Sequence, residues 1–373
     1  VLFSGWLLAA GFACQGGAAE LKFRQHVINA DSKFEAAGVL DVNRDGKLDI
    51  FCGGFWYEAP QWTKHFVREL QDMDGYYVDF ANLPFDVDGD GWVDIVNAAW
   101  HNKSVFWIRN PGKPDGTFEV FNVDEPGNME TAIAVDINGD GQDDILPNIM
   151  TAAAWYEFQP DAAAEHGVKW TKHDLPGEAA GHGIGAGDLN GDGRVDVIGA
   201  KGWLEQMADG QWQWHGEFDL VDASIPILVH DVDGDGDGDL IWGMSHNYGV
   251  YWLEQESNSI GQRIWTRHEI DHDWSQPHFL LLTDLDNDGQ QELLTGKRYY
   301  AHNGHDAGAN DPRCIYYYKL DKGKRQWTRF PVTHGEQPAF GINTQVADID
   351  GDGDIDIVAP GKSGLFLFEN LLK

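Results

Sequence analysis

The stretch "DVNRDGKLD", residues 41–49, returns six more times with unchanged spacing. It is "DVDGDGWVD" from Asp86, "DINGDGQDD" from Asp136 and "DLNGDGRVD" from Asp188. It is then "DVDGDGDGD" from Asp231, "DLDNDGQQE" from Asp284 and "DIDGDGDID" from Asp348. Every copy has Asp at position 1, Asp or Asn at 3, Asp at 5, Gly at 6 and a carboxylate at 9. A single Asp-Gly turn is commonplace, but seven copies of one spacing ask for a chemical cause. Alternate residues in a tight turn aim three side-chain oxygens at one point, and Gly at position 6 permits the sharp bend. A backbone carbonyl at position 7 and the carboxylate at 9 complete an oxygen cage of the kind that calcium takes.

The expected ligands are Asp41, Asn43, Asp45 and Asp49; Asp86, Asp88, Asp90 and Asp94; and Asp136, Asn138, Asp140 and Asp144. They continue with Asp188, Asn190, Asp192 and Asp196; Asp231, Asp233, Asp235 and Asp239; Asp284, Asp286, Asp288 and Glu292; and Asp348, Asp350, Asp352 and Asp356. The loop resembles an EF-hand loop as far as position 6, but it lacks the Glu at 12 and its flanks read as strands. About seven structural calcium ions are therefore expected. They would offset part of a formal charge of −35, which arises from 61 acidic against 26 basic residues. So acidic a chain has no excess of cations for nucleic acid or an anionic membrane surface.

Outward from each loop the same units recur. A short apolar strand such as "HGIGAGD" precedes it, "DVIGA" follows, and an aromatic strand such as "GVYWLEQ" comes third. The fourth carries a refrain: "QWTKHFV" at 61, "KWTKHDL" at 169, "IWTRHEI" at 264 and "QWTRFPV" at 327. Polar and apolar residues alternate, as half-buried strands require, and the Trp and His of the refrain read as packing groups. Four strands in seven units specify an all-β, seven-bladed β-propeller of four-stranded antiparallel blades. The last unit has three strands before the chain stops, and "LKFRQHVI" at residues 21–28 supplies the fourth. The N-terminal strand is thus expected to close the ring and remove exposed sheet edges.

These repeats resemble the FG-GAP or VCBS type found in integrin α-chain propellers and in secreted bacterial proteins. The resemblance covers nearly the whole chain after residue 19, and it implies the propeller and the calcium. One fold hosts many activities, so it implies no particular function.

The topology assigns faces. The turns joining first to second strands, with their Asp residues, lie at one end. First-strand starts and second-to-third connections lie at the other. Six residues before each loop stand Glu35, Phe80, Glu130, His182, Ile225, His278 and Ile342, with Asp79 and Asn343 adjacent. The second-to-third connections add His101 and Asn102, Lys201, His246 and Asn247, Lys297 and Arg298, His302 and Asn303, and Lys362. The loops repeat while this ring differs at every blade, which favours one asymmetric site over seven sugar pockets. Six of the connections are short, but in blade six it is "KRYYAHNGHDAGANDPR", residues 297–313. Long connections in compact folds are usually functional or disordered, and Tyr, His and Arg disfavour disorder.

A carbohydrate lyase or dehydratase would use such a face to remove a proton beside a carbonyl and expel an oxygen leaving group. His182 and His278 are candidate bases, or ligands with Glu130 of one further divalent metal. Lys297 and Arg298 are candidates to stabilise the enolate, and Tyr300 or His302 to act as acid. Trp100 and Tyr299 are candidates to stack on a sugar ring. Glu35, Asp79, His101, Lys201, His246, Asn247, Asn303, His305, Asn343 and Lys362 complete the expected substrate-binding rim. The run "TGKRYYAHNGHDAGANDP" also resembles part of the propeller of fungal aldos-2-ulose dehydratases, which implies a keto-sugar or keto-glycoside substrate. A propeller that holds a glycan or protein without chemistry is the competing reading, and a purely structural surface protein is a third.

The first residues, "VLFSGWLLAAGFACQGGAAE", read as a secretory signal with cleavage near Ala19. Residues 20–373 would then form a single domain, periplasmic or extracellular. Lipid anchoring through Cys14 is the lesser alternative. No later segment approaches the roughly 20 apolar residues of a membrane-spanning helix. Cys52 and Cys314 make no disulfide framework and are expected to be unpaired.

Overall fold

In every repeat the carboxylate at position 9 opens the second strand and is buried, with no more than 3% of its surface exposed. One of its oxygens accepts the backbone N–H of position 2 in all seven loops, from Val42 to Asp49 at 3.0 Å through Ile349 to Asp356 at 3.0 Å. In five repeats the other oxygen accepts a backbone N–H at the end of the third strand, from Ala59, Asn110, Gln206, Gln255 or Asn370. One side chain therefore pins the turn, the second strand and the third strand together. Gly at position 6 sits at φ between 86° and 98° in all seven loops, where a side chain would be strained. In six of the loops its N–H bonds back to the position-1 carboxylate, as from Gly46 to Asp41 at 2.8 Å.

The structure is a computed structural model that describes residues 20–113 and 116–372. The signal-peptide reading and Cys14 lie outside the described residues. The described chain forms seven four-stranded sheets. Blade one is β2 (Gly38–Leu40), β3 (Asp49–Cys52), β4 (Phe55–Glu58) and β5 (Thr63–Phe66). Blade two is β6 (Leu83–Phe85), β7 (Asp94–Ala98), β8 (Val105–Arg109) and β9 (Glu119–Asp124). Blade three is β10 (Met129–Val135), β11 (Asp144–Ile149), β12 (Ala154–Pro160) and β13 (Val168–Asp174). Blade four is β14 (Ile184–Gly187), β15 (Asp196–Gly199), β16 (Gly202–Gln206) and β17 (Trp212–His215). Blade five is β18 (Leu228–His230), β19 (Asp239–Gly243), β20 (Tyr248–Ser257) and β21 (Arg263–Ser275). Blade six is β22 (Pro277–Thr283), β23 (Glu292–Lys297), β24 (Cys314–Asp321) and β25 (Gln326–His334). Blade seven takes β26 (Gln345–Ala347), β27 (Asp356–Gly361) and β28 (Gly364–Asn370) from the C-terminus, and β1 (Phe23–Asn29) from the N-terminus. The closing pair is antiparallel, running from Phe23 opposite Asn370 to Val27 opposite Phe366.

Hydrophobic packing runs between blades as well as within them. Leu40, Phe51 and Trp56 of blade one pack with Ile95, Phe106 and Ile108 of blade two. The inner strands approach closely around the channel. A Cβ on Gly185 would stand 1.9 Å from the Ile227 carbonyl oxygen of the next blade, so only Gly fits there. On the outer strands, His65, His173 and His268 of the refrain stack on third-strand Trp56, Trp155 and Trp252, with ring centroids 3.9–4.3 Å apart. Their Nε2 atoms face Glu58, Glu157 and Glu254. Cys52 and Cys314 are buried free thiols. Among the described residues no helix is long and apolar enough to cross a membrane.

Deleting residues 20–29 leaves blade seven with three strands and an open edge. The deletion is expected to lower the thermal midpoint by more than roughly 10 °C, or to prevent folding. An unchanged melting curve would show that the ring does not need this closure.

Candidate functional site

Four side chains from separate blades meet at the end of the channel opposite the Asp-rich turns. Glu130 comes from the second residue of β10, His182 from the approach to β14, His246 from the turn between β19 and β20, and His278 from the start of β22. One ligand-capable atom from each lies within 4.8 Å of the others. His182 Nε2 is 2.5 Å and His278 Nε2 3.1 Å from Glu130 Oε2. The ring contacts agree, with centroids of His182 and His246 4.8 Å apart and those of His182 and His278 5.1 Å apart.

Outer contacts orient two of these imidazoles. His182 donates from Nδ1 to the Ala223 carbonyl at 2.8 Å, and His246 Nδ1 faces Asp222 Oδ1 at 2.6 Å. The Nε2 of His246 is left buried without a hydrogen-bond partner, while that of His182 faces Glu130. A carbonyl or carboxylate behind one ring nitrogen fixes the tautomer in which the other carries the lone pair, which is how metal-ligating His is usually held. A buried polar atom left without a partner costs about 1–3 kcal/mol, so this arrangement calls for one. Three imidazoles and one carboxylate suit zinc or a neighbouring transition ion better than calcium.

Arg298, the residue after β23, crosses the axis behind this cluster and is 1% exposed. It donates from Nε to Glu35 at 2.9 Å, and from Nη1 to Glu130 at 3.2 Å and to His278 Nε2 at 3.0 Å. Burial works against the Glu130 carboxylate, but Arg298, His182 and His278 outweigh it and hold its pKa well below the ordinary range. Burial and then Arg298 keep His278 neutral. At His182 burial opposes the charge, yet Glu130 prevails and the pKa is raised.

Beside Glu130 opens a cavity of about 150 Å³ lined by Tyr76, Phe80, Trp100, His101, Glu130, Arg298 and His302. His302 Nδ1 faces both oxygens of Asp306, at 3.0 and 3.1 Å, and its ring centroid is 4.7 Å from that of His246. The blade-six connection holds three non-glycine residues at positive φ: Tyr300, His302 and Asn303. Such strain persists only where surrounding structure imposes it. Here Asn303 reaches across to Asp74 in the crossover from blade one to blade two, at 3.3 Å from its carbonyl. Lys362 reaches the Tyr300 carbonyl at 3.3 Å and covers the Tyr76 ring at 3.4 Å from its centroid.

The expected residues thus divide. Glu130, His182, His246 and His278 form the cluster, and Trp100, His101, Arg298 and His302 line the cavity with Glu130. Glu35 stands behind them as an anchor for Arg298. Lys297 does not reach the cavity. Its ammonium is buried and donates to Ser275 Oγ at 2.6 Å and the Gly308 carbonyl at 2.7 Å, so it braces the long connection from beneath. Asp79 is likewise structural, clamping blades one and two through Gly53, Asn82, Asn97 and Arg68. Asn343, before the first strand of blade seven, accepts the Asn82 N–H from before the first strand of blade two. Tyr300 and His305 are exposed, Tyr299 lies under the Arg313 guanidinium, and the Asn247 side chain caps its own turn. None of these, nor exposed Lys201, lines the cavity. Tyr76, Asp222 and Asp306 escaped the sequence reading. The long fourth-to-first crossover at residues 67–82 was the available signal for Tyr76, and Asp306 lay inside the quoted insertion.

Comparisons with known proteins agree with this architecture. A family model for the FG-GAP-like repeat matches residues 86–146 and 284–359. No curated protein matches the sequence. Among solved structures, BBS1N in complex with ARL6DN is similar in fold in a mercury-soaked crystal (TM-score 0.53, 13% identity, 95% of this chain and 97% of that one). The lead-soaked crystal gives a TM-score of 0.52 at 14% identity, over 94% and 96% of the two chains. An Agrocybe aegerita lectin, described as recognising non-reducing terminal N-acetylglucosamine, aligns with a TM-score of 0.49 and 17% identity, over 91% of this chain and 86% of that one.

Lys297→Met is expected to lower stability by about 1–3 kcal/mol, because Ser275 and Gly308 lose a buried donor. It should also speed proteolysis within residues 300–313 while leaving transition-metal affinity within about threefold. Chemical denaturation, limited proteolysis and calorimetric metal titration check this. Loss of metal affinity with an unchanged loop would place Lys297 in the site after all.

Proposed function

We propose that this chain, a seven-bladed propeller of the FG-GAP-repeat family, is a metal-dependent carbon–oxygen lyase acting on a keto-sugar or keto-glycoside by β-elimination. The observation that carries this reading is the convergence of the Glu130, His182, His246 and His278 donors beside a cavity that also holds a His–Asp pair. Titratable groups gathered at one point favour chemistry over a surface that only holds a glycan or protein. A cavity of about 150 Å³ is well below the roughly 300 Å³ of sites for drug-sized ligands, and it suits one sugar ring.

The four donors would hold a divalent transition ion, whose chemistry is to polarise a ketone oxygen and acidify the neighbouring C–H. The chain's own residues supply the rest. Arg298 keeps Glu130 ionised and His278 neutral, the states in which both are ligands. Asp306 accepts the Nδ1 hydrogen of His302, leaving the Nε2 lone pair free to take a proton. Trp100 and Phe80 offer flat apolar surfaces to a sugar ring.

At the opposite face, the loops fit calcium. Carboxylate oxygens of Asp86, Asp88 and Asp90 lie within 4.8 Å of one another, as do those of Asp231, Asp233 and Asp239 and those of Asp284, Asp286 and Glu292. The position-9 carboxylates are buried among like charges, an environment that a cation relieves. Calcium here would be structural, and a secreted location, periplasmic or extracellular, accords with loops of this type.

Metal-free protein reloaded with Zn²⁺, Mn²⁺ or Co²⁺ is expected to release the aglycone from a 3-keto-glucoside with the ultraviolet absorbance of an enone. His182→Ala should abolish this while the melting temperature stays within a few degrees. Glycan affinity with no product under any metal would overturn the lyase reading in favour of a binding propeller. Separately, millimolar Ca²⁺ added to chelator-treated protein is expected to raise the thermal midpoint by more than roughly 10 °C, since each ion at a hundred times its Kd adds about 2.7 kcal/mol. An unchanged midpoint would rule out calcium as the fold's stabiliser.

A further inference from the structure

Tyr76 stands in the crossover between blades one and two, outside the regular blade repeat. Its hydroxyl is buried and has no hydrogen-bond partner among the described residues, yet the residue lines the cavity beside Glu130, Arg298 and His302. The ring is fixed from several sides. Lys362 covers one face at 3.4 Å, Phe80 stacks at 6.2 Å between centroids with 19° between planes, and His101 lies at 5.9 Å. A phenol held this firmly, with a proton and nothing to accept it, is completed by an acceptor atom brought into the cavity. The group that bears on its oxygen from the protein is the His302 backbone N–H, a donor, which cannot accept the phenol's proton.

We infer that Tyr76 is the proton donor of this site, passing its hydroxyl hydrogen to the departing oxygen of the substrate. The inference rests on the elimination reading above. In a 3-keto-glucoside, His302 takes the C2 hydrogen as a proton. The C2–H electron pair forms the C1=C2 double bond as the C1–O bond breaks. The aglycone oxygen leaves with that bonding pair and takes the Tyr76 proton. The phenolate regains a proton from the His302 imidazolium through solvent, so the products are a neutral enone and a neutral alcohol. Burial favours the neutral phenol, with Arg298 opposing. Tyr76 is thus a catalytic residue that the blade-by-blade pattern of the sequence does not mark. Lys362 and Phe80 are its positioning residues.

The test compares two leaving groups on Zn²⁺-loaded protein. With a methyl 3-keto-glucoside, Tyr76→Phe is expected to lower kcat/KM by roughly 10²–10⁴-fold. With the 4-nitrophenyl 3-keto-glucoside, whose phenolate leaves unprotonated, the loss should be under about tenfold. Equal losses on both substrates, or no loss on the methyl glycoside, overturn the assignment. A wild-type series of leaving groups gives a reading independent of the variant's folding: a shallow dependence on leaving-group pKa supports the donor, and a steep one excludes it. Metal-loaded wild type that makes no product from either glycoside removes the elimination reading and this assignment together. Activity that survives Tyr76→Phe removes the assignment alone.

Discussion

A buried carboxylate engaged by backbone amides is the element on which each blade depends. It opens the second strand, accepts from the start of its own loop and, in five of the seven repeats, from the end of the third strand. Short strands such as Gly38–Leu40 have few ladder hydrogen bonds of their own, so a staple at their shared end fixes register as well as spacing. The arrangement also explains why position 9 stays acidic in every copy while position 3 varies between Asp and Asn. Burial pushes these carboxyls up to about 6 at Asp49, Asp196 and Asp356, and to about 7 at Asp94, Asp144, Asp239 and Glu292.

The two faces of the ring divide the labour. One repeats, because each turn solves the same local problem of joining first strand to second. The other does not repeat, because its residues answer to one another across the axis. Arg298 of blade six contacts Glu35 of blade one, Glu130 of blade three and His278 of its own blade, so three side chains from three blades share one buried guanidinium. A closed ring of stacked sheets gives such a cluster little freedom, which is the condition for catalytic groups to be held to within fractions of an ångström. The strained turn at Tyr300–Asn303 and its bridge to Asp74 extend that rigidity to the cavity wall.

Charge is distributed to the same end. Most of the acidic excess in a chain of net charge −35 belongs to the loop face. At the other face Arg298 and Lys362 stand opposite Glu35 and Glu130, close to balance. A divalent ion there would leave a positive centre inside an acidic protein, suited to the oxyanion of an enolate.

Fold and ring closure were legible in the residues, because both are local and repeated. Seven loops of one spacing count the blades, alternation marks the strands, and a three-stranded last unit points to the N-terminus for its fourth. The face of the candidate site followed from strand direction, and its first-strand ring contains Glu130, His182 and His278, which the structure brings within contact. What each polar residue does there was decided by tertiary structure alone. Lys297 and Arg298 are consecutive in sequence, yet one is directed under its own loop and the other across the channel. Asp79 and Glu35 both lie near the rim at the approach to a first strand, yet one clamps two blades and the other anchors Arg298. Tyr76 and Asp222 enter from crossovers that no periodicity marks. A repeat writes its backbone into sequence because every copy meets the same constraint. A single site on the axis is assembled from contacts far apart in the chain, and those exist only once the ring has closed.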